Sequence, residues 1–162
     1  MATTYNNLYL DLRTELRRAG DEEATQSARE LVCAAAAKTR EELVRDGSLY
    51  VSPEVEKSAR ELVKRHLAGE PVAYLIGEWE FYGLPLRVTP DVLIPRDDTC
   101  AVAELAIRKA LFLEQDPRIL DLCCGSGCIG LAIASRVKDA KVTLADLSME
   151  ALAIAKENTG LN

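Results

Sequence analysis

Leu8, Leu12 and Leu16 recur every fourth residue in "YNNLYLDLRTELRRAG", the spacing that lines one face of a helix. Gly20 follows as a stop. The next run, "DEEATQSARELVCAAAAK", opens with acids, which suit the positive end of a helix dipole, and continues through Leu31, Val32 and an alanine tract. "TREELVRDG" reads as a short helix with Thr39 as its cap. "SPEVEKSARELVKRHLAG" places Ser52 as cap and Pro53 at the first helical position, with Val55, Ala59, Leu62 and Val63 as the apolar stripe and Gly69 as the stop. Four short amphipathic helices with short links predict an all-α bundle over residues 1–70.

The pattern changes at residue 71. "EWEFYG" and "LPLRVT" read as two strands joined by a tight turn at Tyr82-Gly83, in a stretch rich in Pro, Gly and aromatics. Residues 71–95 are therefore expected to form a β-hairpin linker. From residue 96 helices and strands alternate. "DDTCAVAELAIRKALFLEQ" is helical, "RILDLC" a strand, "GSGCIGLAIASRVK" a glycine-led helix, "AKVTLAD" a strand, and "SMEALAIAKENTG" a helix capped by Ser148. That order is the beginning of a doubly wound α/β domain over residues 96–162. Two parallel strands are few for such a sheet, whose edges would be bare, so the chain is expected to be the N-terminal part of a longer protein.

Composition narrows the partners. The 162 residues are 48% hydrophobic and 28% charged, with a formal net charge of −6. Neither half is basic, which argues against binding nucleic acid through its phosphates. No apolar run approaches the ~18 residues of a membrane span. The polar N-terminus "MATTYNNLYLDLRTELRR" lacks the apolar core of a signal peptide. The default expectation is a cytoplasmic protein. Its cysteines, Cys33, Cys100, Cys123, Cys124 and Cys128, are odd in number and crowded, as reduced thiols would be.

Three of these cysteines lie in "ILDLCCGSGCIGLAIA". A zinc site wants four ligands; Cys124 and Cys128 make one pair, no second pair exists, and the single histidine, His66, lies in the helical half. An iron–sulfur site would need a further cysteine where Leu131 stands, and adjacent Cys123-Cys124 is not a Cys-x-x-Cys redox pair. No metal is expected. The glycines are more informative. Gly125 and Gly127 permit a sharp strand-to-helix turn and close approach of a ligand to the backbone, in front of the unsatisfied N–H groups of a helix N-terminus. The next strand ends in Asp146, placed to accept hydrogen bonds from ribose hydroxyls, so the ligand carries an adenosine. "GSGCIG" also matches the dinucleotide pattern G-x-G-x-x-G, which keeps NAD as a rival. Asp121 at the strand end tips the choice, because its carboxylate would repel a pyrophosphate and attract the sulfonium and ammonium of S-adenosylmethionine. Each acid also has a structural alternative: Asp121 as a loop brace, Asp146 as a helix cap competing with Ser148.

"EPVAYLIGEWEFYGLPLRVTPDVLIPRDDT", followed by "ILDLCCGSGCIGLAIA" and "VTLADLSMEALAIAKEN", closely resembles the HemK/PrmC family of protein-(glutamine-N5) methyltransferases acting on peptide chain release factors. The resemblance runs from about Glu70 to the end of the chain, and residues 1–69 agree with the family's helical N-terminal domain in type and length. It implies an incomplete class I (Rossmann-like) methyltransferase domain behind that bundle. It implies S-adenosylmethionine as cofactor, its methionine part along Cys123, Cys124, Gly125, Ser126 and Gly127 and its ribose on Asp146. It implies a release factor as protein substrate, methylated on the glutamine of a Gly-Gly-Gln tripeptide and held in part by the helical domain; a related branch methylates a ribosomal protein. The family's glycine is replaced here by Cys123, which is expected to shift the loop. The family's Asn-Pro-Pro-Tyr motif does not occur in these residues, so the chain alone is expected to be inactive.

The reaction would be direct displacement on the sulfonium methyl, with the enzyme orienting the two partners and no general base nominated. Phe81 and Arg96 are candidates for the substrate side; the plainer roles are a core aromatic of the hairpin and a surface arginine. His66, late in its helix, suits a C-terminal dipole partner. The other readings are a non-catalytic interaction module, which a bare strand edge would serve, an NAD-dependent enzyme, and a nucleic-acid adenine methyltransferase, disfavoured by the acidic charge.

Overall fold

A computed structural model describes residues 3–113 and 116–162. The chain divides into two compact units, the first ending at Ile76 and the second running Gly77–Asn162.

Local signals set most helix ends in the first unit. Helix α1 (Tyr5–Arg18) begins where the Thr4 side chain accepts from the Asn7 N–H, and the chain leaves it through Gly20 at φ 92°. Helix α2 (Ala24–Ala36) starts after Asp21, whose carboxylate accepts from the Glu23 N–H at 2.8 Å. Helix α3 (Arg40–Arg45) carries a capping box, with Thr39 accepting from the Glu42 N–H and Glu42 accepting from the Thr39 N–H. Helix α4 (Pro53–Leu67) has Ser52 as cap and Pro53 in its first turn. Leu8, Leu12 and Leu16 of α1, Leu31 and Val32 of α2, and Ala59 and Val63 of α4 are fully buried together, while Val55 and Leu62 pack on the edge of that core. A fifth helix, α5 (Val72–Ile76), follows Pro71 and packs on α2, so the helical unit extends six residues past the expected end of the bundle. His66 does not cap its own helix. Its Nδ1 donates to the Glu70 carbonyl at 2.9 Å, and its Nε2 lies 3.4 Å from the Asp21 carboxylate ahead of α2.

The second unit opens with strands β1 (Glu78–Phe81) and β2 (Leu84–Arg87), antiparallel with Phe81 opposite Leu84. Tyr82 and Gly83, at φ 55° and 78°, make the two-residue turn. The hairpin is not a free linker, because Phe81 and Leu86 are buried with Ala103, Leu131 and Ala132 inside this unit. Helix α6 (Asp97–Leu111) begins at Asp97; the expected helical end at Glu114 and Gln115 lies outside the described residues. Strands β3 (Arg118–Leu122) and β4 (Lys141–Ala145) are parallel, with Asp121 opposite Leu144, and are linked through helix α7 (Cys128–Arg136). Helix α8 (Met149–Leu161) starts at the Ser148 cap, which accepts from the Ala151 N–H at 3.0 Å. This is the first part of a Rossmann-like α/β layer behind an all-α unit. One face of the β3–β4 pair packs on α7 through Ile119 and Val142. The other carries Leu120 and Leu122, 60% and 68% exposed.

Candidate cofactor site

Pleating gives Asp121 its place. Ile119 and Asp121 alternate with outward Leu120 and Leu122, so the carboxylate points to the side where α7 starts. There Asp121 Oδ2 accepts the Gly130 N–H at 2.8 Å. Gly130 is the third residue of α7, and its amide is one of the donors that a helix cannot satisfy internally. Helix and strand pack closely here: a Cβ at position 130 would clash with Leu144 Cδ2 and lie 3.0 Å from Asp121 Oδ2, so the Leu144 side chain would have to turn aside. The third glycine of "GSGCIG" is thus spent on packing α7 against β4 and on the bond to Asp121.

Asp146, just after β4, holds the front of the loop. Its Oδ2 accepts the Gly125 N–H at 2.8 Å and its Oδ1 the Ser148 N–H at 3.0 Å. The Cys124 N–H donates to the Ala145 carbonyl at 3.0 Å, and the Gly127 N–H to the Cys124 carbonyl at 2.8 Å. The loop therefore closes on itself and on the end of β4. Gly125 and Gly127 sit at φ 54° and 80°, and Cys123 takes φ 61°. Cys123 thus adopts the left-handed backbone that glycine takes at lower cost. Its thiol is exposed, whereas Cys124 and Ser126 are buried.

The two carboxylates are tuned oppositely. Burial pushes the Asp121 carboxyl above the usual aspartate value, the Gly130 N–H pulls it back, and the negative Asp146 raises it further. The Ser148 and Gly125 N–H groups hold Asp146 below the usual value. Burial, with Asp121 and Asp146 nearby, pushes the Cys124 thiol up, and burial does the same to Cys128, so neither is an activated thiolate. A carboxylate has about four lone-pair sites. Backbone donors occupy one on each Asp146 oxygen, and the remaining ones are chemically able to accept hydroxyls. Two acids flanking a loop of backbone amides favour a ligand that is cationic near Asp121 and hydroxylated near Asp146.

Asp121, Cys123, Cys124, Gly125, Ser126, Gly127 and Asp146 thus form one constellation. Phe81 and Arg96 make no hydrogen bond to this loop among the described residues. Phe81 is 3% exposed and belongs to the hairpin core, and Arg96 is an exposed residue preceding α6 with no side-chain bond to its helix. Sequence reasoning missed Asn158, wholly buried on α8 and bonded to the loop through the Ser126 carbonyl. Its signal was present: Ala151, Ile154, Ala155 and Asn158 share one helical face, on which the asparagine is the only polar residue.

Residues 8–77 match the family described as the PrmC N-terminal domain, and residues 103–162 match the methyltransferase small domain. The first match falls almost wholly on the helical unit and the second within the α/β unit. Among its relatives is a release factor glutamine methyltransferase of Vibrio cholerae, 40% identical over 144 residues, covering 89% of this chain and 50% of that protein. Another, from Bordetella pertussis and of the same name, is 49% identical over 111 residues, covering 67% of this chain and 40% of the relative. The chain spans about half the length of the curated relatives it matches.

Proposed function

We propose that this chain supplies the S-adenosylmethionine loop and the helical recognition domain of a protein-(glutamine-N5) methyltransferase whose substrate is a peptide chain release factor. One observation carries the cofactor assignment. The glycine loop is clamped between two carboxylates, Asp121 through Gly130 and Asp146 through Gly125. That charge suits a sulfonium and an ammonium and opposes a pyrophosphate. In this reading Asp121 attracts the cationic methionine part, the backbone from Cys123 to Gly127 lies along it, and Asp146 takes the ribose. S-adenosylmethionine supplies the methyl group as an electrophile. The chain's own contribution is to bind and orient, which is most of what a displacement needs.

The names of the relatives support a release-factor glutamine as the substrate, and the family resemblance sets that glutamine in a Gly-Gly-Gln tripeptide. This reading takes a cytoplasmic setting, with neither nucleic acid nor membrane as a direct partner. No helix among the described residues is long and apolar enough to cross a membrane. The Asn-Pro-Pro-Tyr motif expected to position the glutamine amide does not occur in these 162 residues, so no turnover is expected of them alone. A non-catalytic interaction module is the second reading, favoured by the exposed face at Leu120 and Leu122. Calorimetric titration decides between them: S-adenosylmethionine should bind and NAD should not. Binding of NAD alone would refute the methyltransferase assignment, and binding of neither by a folded chain would favour the interaction module.

A further inference from the structure

Asn158 is 0% exposed, and its carboxamide bonds backbone groups from two distant segments. Its Oδ1 accepts from the Arg87 N–H at 2.6 Å, and its Nδ2 donates to the Arg87 carbonyl at 3.1 Å and to the Ser126 carbonyl at 2.9 Å. Toward Arg87, the last residue of β2, the side chain behaves as another strand would, accepting from the N–H and donating to the C=O of one residue. The second Nδ2 hydrogen fixes the carbonyl at the centre of Gly125-Ser126-Gly127. Few side chains can replace it. Aspartate keeps the acceptor and loses both donors, and leucine has neither. Buried polar groups left without partners are costly, so this set of bonds stands or falls together.

The loop is therefore held at three points. Asp146 takes the Gly125 amide and Asp121 braces α7 at Gly130, both with charges that also serve a cationic ligand. The third hold, on the Ser126 carbonyl, is neutral and comes from behind the loop.

We propose that Asn158 is a positioning residue for the glycine loop: it ties the Ser126 carbonyl to the end of β2, so that the hairpin supports the loop and donor affinity depends on a side chain that does not touch the donor. The consequence for affinity rests on the S-adenosylmethionine reading above; the consequence for loop order does not.

The test uses the 162-residue chain and the near-isosteric variant Asn158→Asp, which retains an acceptor for the Arg87 N–H and sets a carboxylate against the two carbonyls. Asn162→Ala on the same helix is the control, losing bonds to the Pro85 and Asn158 carbonyls but none to the loop. Amide hydrogen exchange is measured without ligand, at a temperature where circular dichroism shows both variants folded. Asn158→Asp should speed exchange of the Gly125 and Gly127 amides at least tenfold over the control while the Ile107 amide of α6 stays unchanged. In parallel, the S-adenosylmethionine dissociation constant should rise at least tenfold. Unchanged loop exchange in a folded variant, or uniform acceleration that includes Ile107, overturns the inference, because a purely structural role predicts one of those two patterns. If Asn158→Asp does not fold, Asn158→Ser, which cannot span both partners and adds no charge, is read by the same exchange criteria. A wild-type chain that binds no S-adenosylmethionine, with loop amides that still loosen in the variant, sinks the cofactor reading and leaves the positioning role standing.

Discussion

At the scale of single residues, Asp121 serves as brace and as charge, and a substitution can separate the two. Asn at position 121 keeps an oxygen for the Gly130 N–H and removes the negative charge. Asp121→Asn should leave the unfolding free energy from urea titration within about 1 kcal/mol of wild type, since a neutral acceptor replaces the carboxylate for the same N–H. The S-adenosylmethionine dissociation constant should rise about tenfold, equivalent to ~1.4 kcal/mol. A calorimetric affinity equal to wild type would reduce Asp121 to a brace. The pH dependence has a definite sign. The folded-state pKa of Asp121 lies above its ordinary value of 3.8 and that of Asp146 below it. On acidification Asp121 therefore protonates first. This lowers donor affinity before the fold suffers, and Asp121→Asn should abolish that first step. Protonating Asp121 favours the folded state over the window between its raised value and 3.8, because the folded chain takes up the proton earlier. Asp146 contributes stability that is complete above the ordinary aspartate range and is lost as pH falls through its depressed folded value. Affinity and stability titrated from pH 7 downward should thus part company. Cys123 offers a second test. A left-handed backbone costs an L-residue about 1–2 kcal/mol, against about 0.5–1 kcal/mol for the extra freedom of unfolded glycine. Cys123→Gly should raise stability by about 0.5 kcal/mol, read as a higher urea midpoint with unchanged slope. The same residue should be alkylated first in the native chain. It is exposed, whereas buried Cys33 is pushed up to about 11 and Cys124 is buried and also raised. Peptide mapping after brief iodoacetamide treatment reads the order.

At the scale of elements, Gly130 of α7 packs directly on Leu144 of β4. Gly130→Ala would drive a methyl into the Leu144 Cδ2 methyl before relaxation. Overpacking of this kind costs about 1–3 kcal/mol. Thermal unfolding should show the loss, and Leu144→Val in the same chain should restore part of it by making room. A full loss in the double variant would place the strain on the Asp121 bond instead. What was legible in the sequence follows the range of the forces involved. Thr39, Ser52 and Ser148 cap their helices as expected because a cap reads only three residues ahead. Tyr82-Gly83 turns the hairpin because a two-residue loop demands left-handed backbone at both positions. The Asp121 and Asp146 spacing was readable because strand, loop and helix follow one another along the chain. Helix α5 was not, since five residues carry too short a period and tertiary packing decides them. Nor was the role of Asn158, whose partners Ser126 and Arg87 are 32 and 71 residues away. His66 was placed in the right turn of α4, but its Asp21 partner, 45 residues off, could come only from the fold.

At the scale of the whole molecule, the apolar clusters described above each fall within one unit. One is built wholly from residues up to Ile76; the other clusters, around Phe81 and around Ile107, lie in Gly77–Asn162. The ligand loop is in the second unit, and so is the single tryptophan, Trp79 on β1. That distribution gives each unit its own reporter. Indole fluorescence follows the second unit, while the helical signal in far-ultraviolet circular dichroism is weighted toward the first. A ligand that binds only the folded second unit stabilises it by RT ln(1 + [L]/Kd), about 2.7 kcal/mol at a hundredfold excess over Kd. For a unit of this size each 1 kcal/mol is worth roughly 4–8 °C in midpoint, so such a gain is worth roughly 11–22 °C. Adding S-adenosylmethionine at that excess should therefore raise the fluorescence midpoint by about ten degrees or more and leave most of the circular dichroism transition in place. NAD should move neither. A joint shift of both signals would mean that the two units unfold as one cooperative body, with the ligand stabilising the helical unit through the hairpin unit. A shift of the circular dichroism transition alone would put the donor site in the wrong unit and refute its assignment to the Asp121–Asp146 loop.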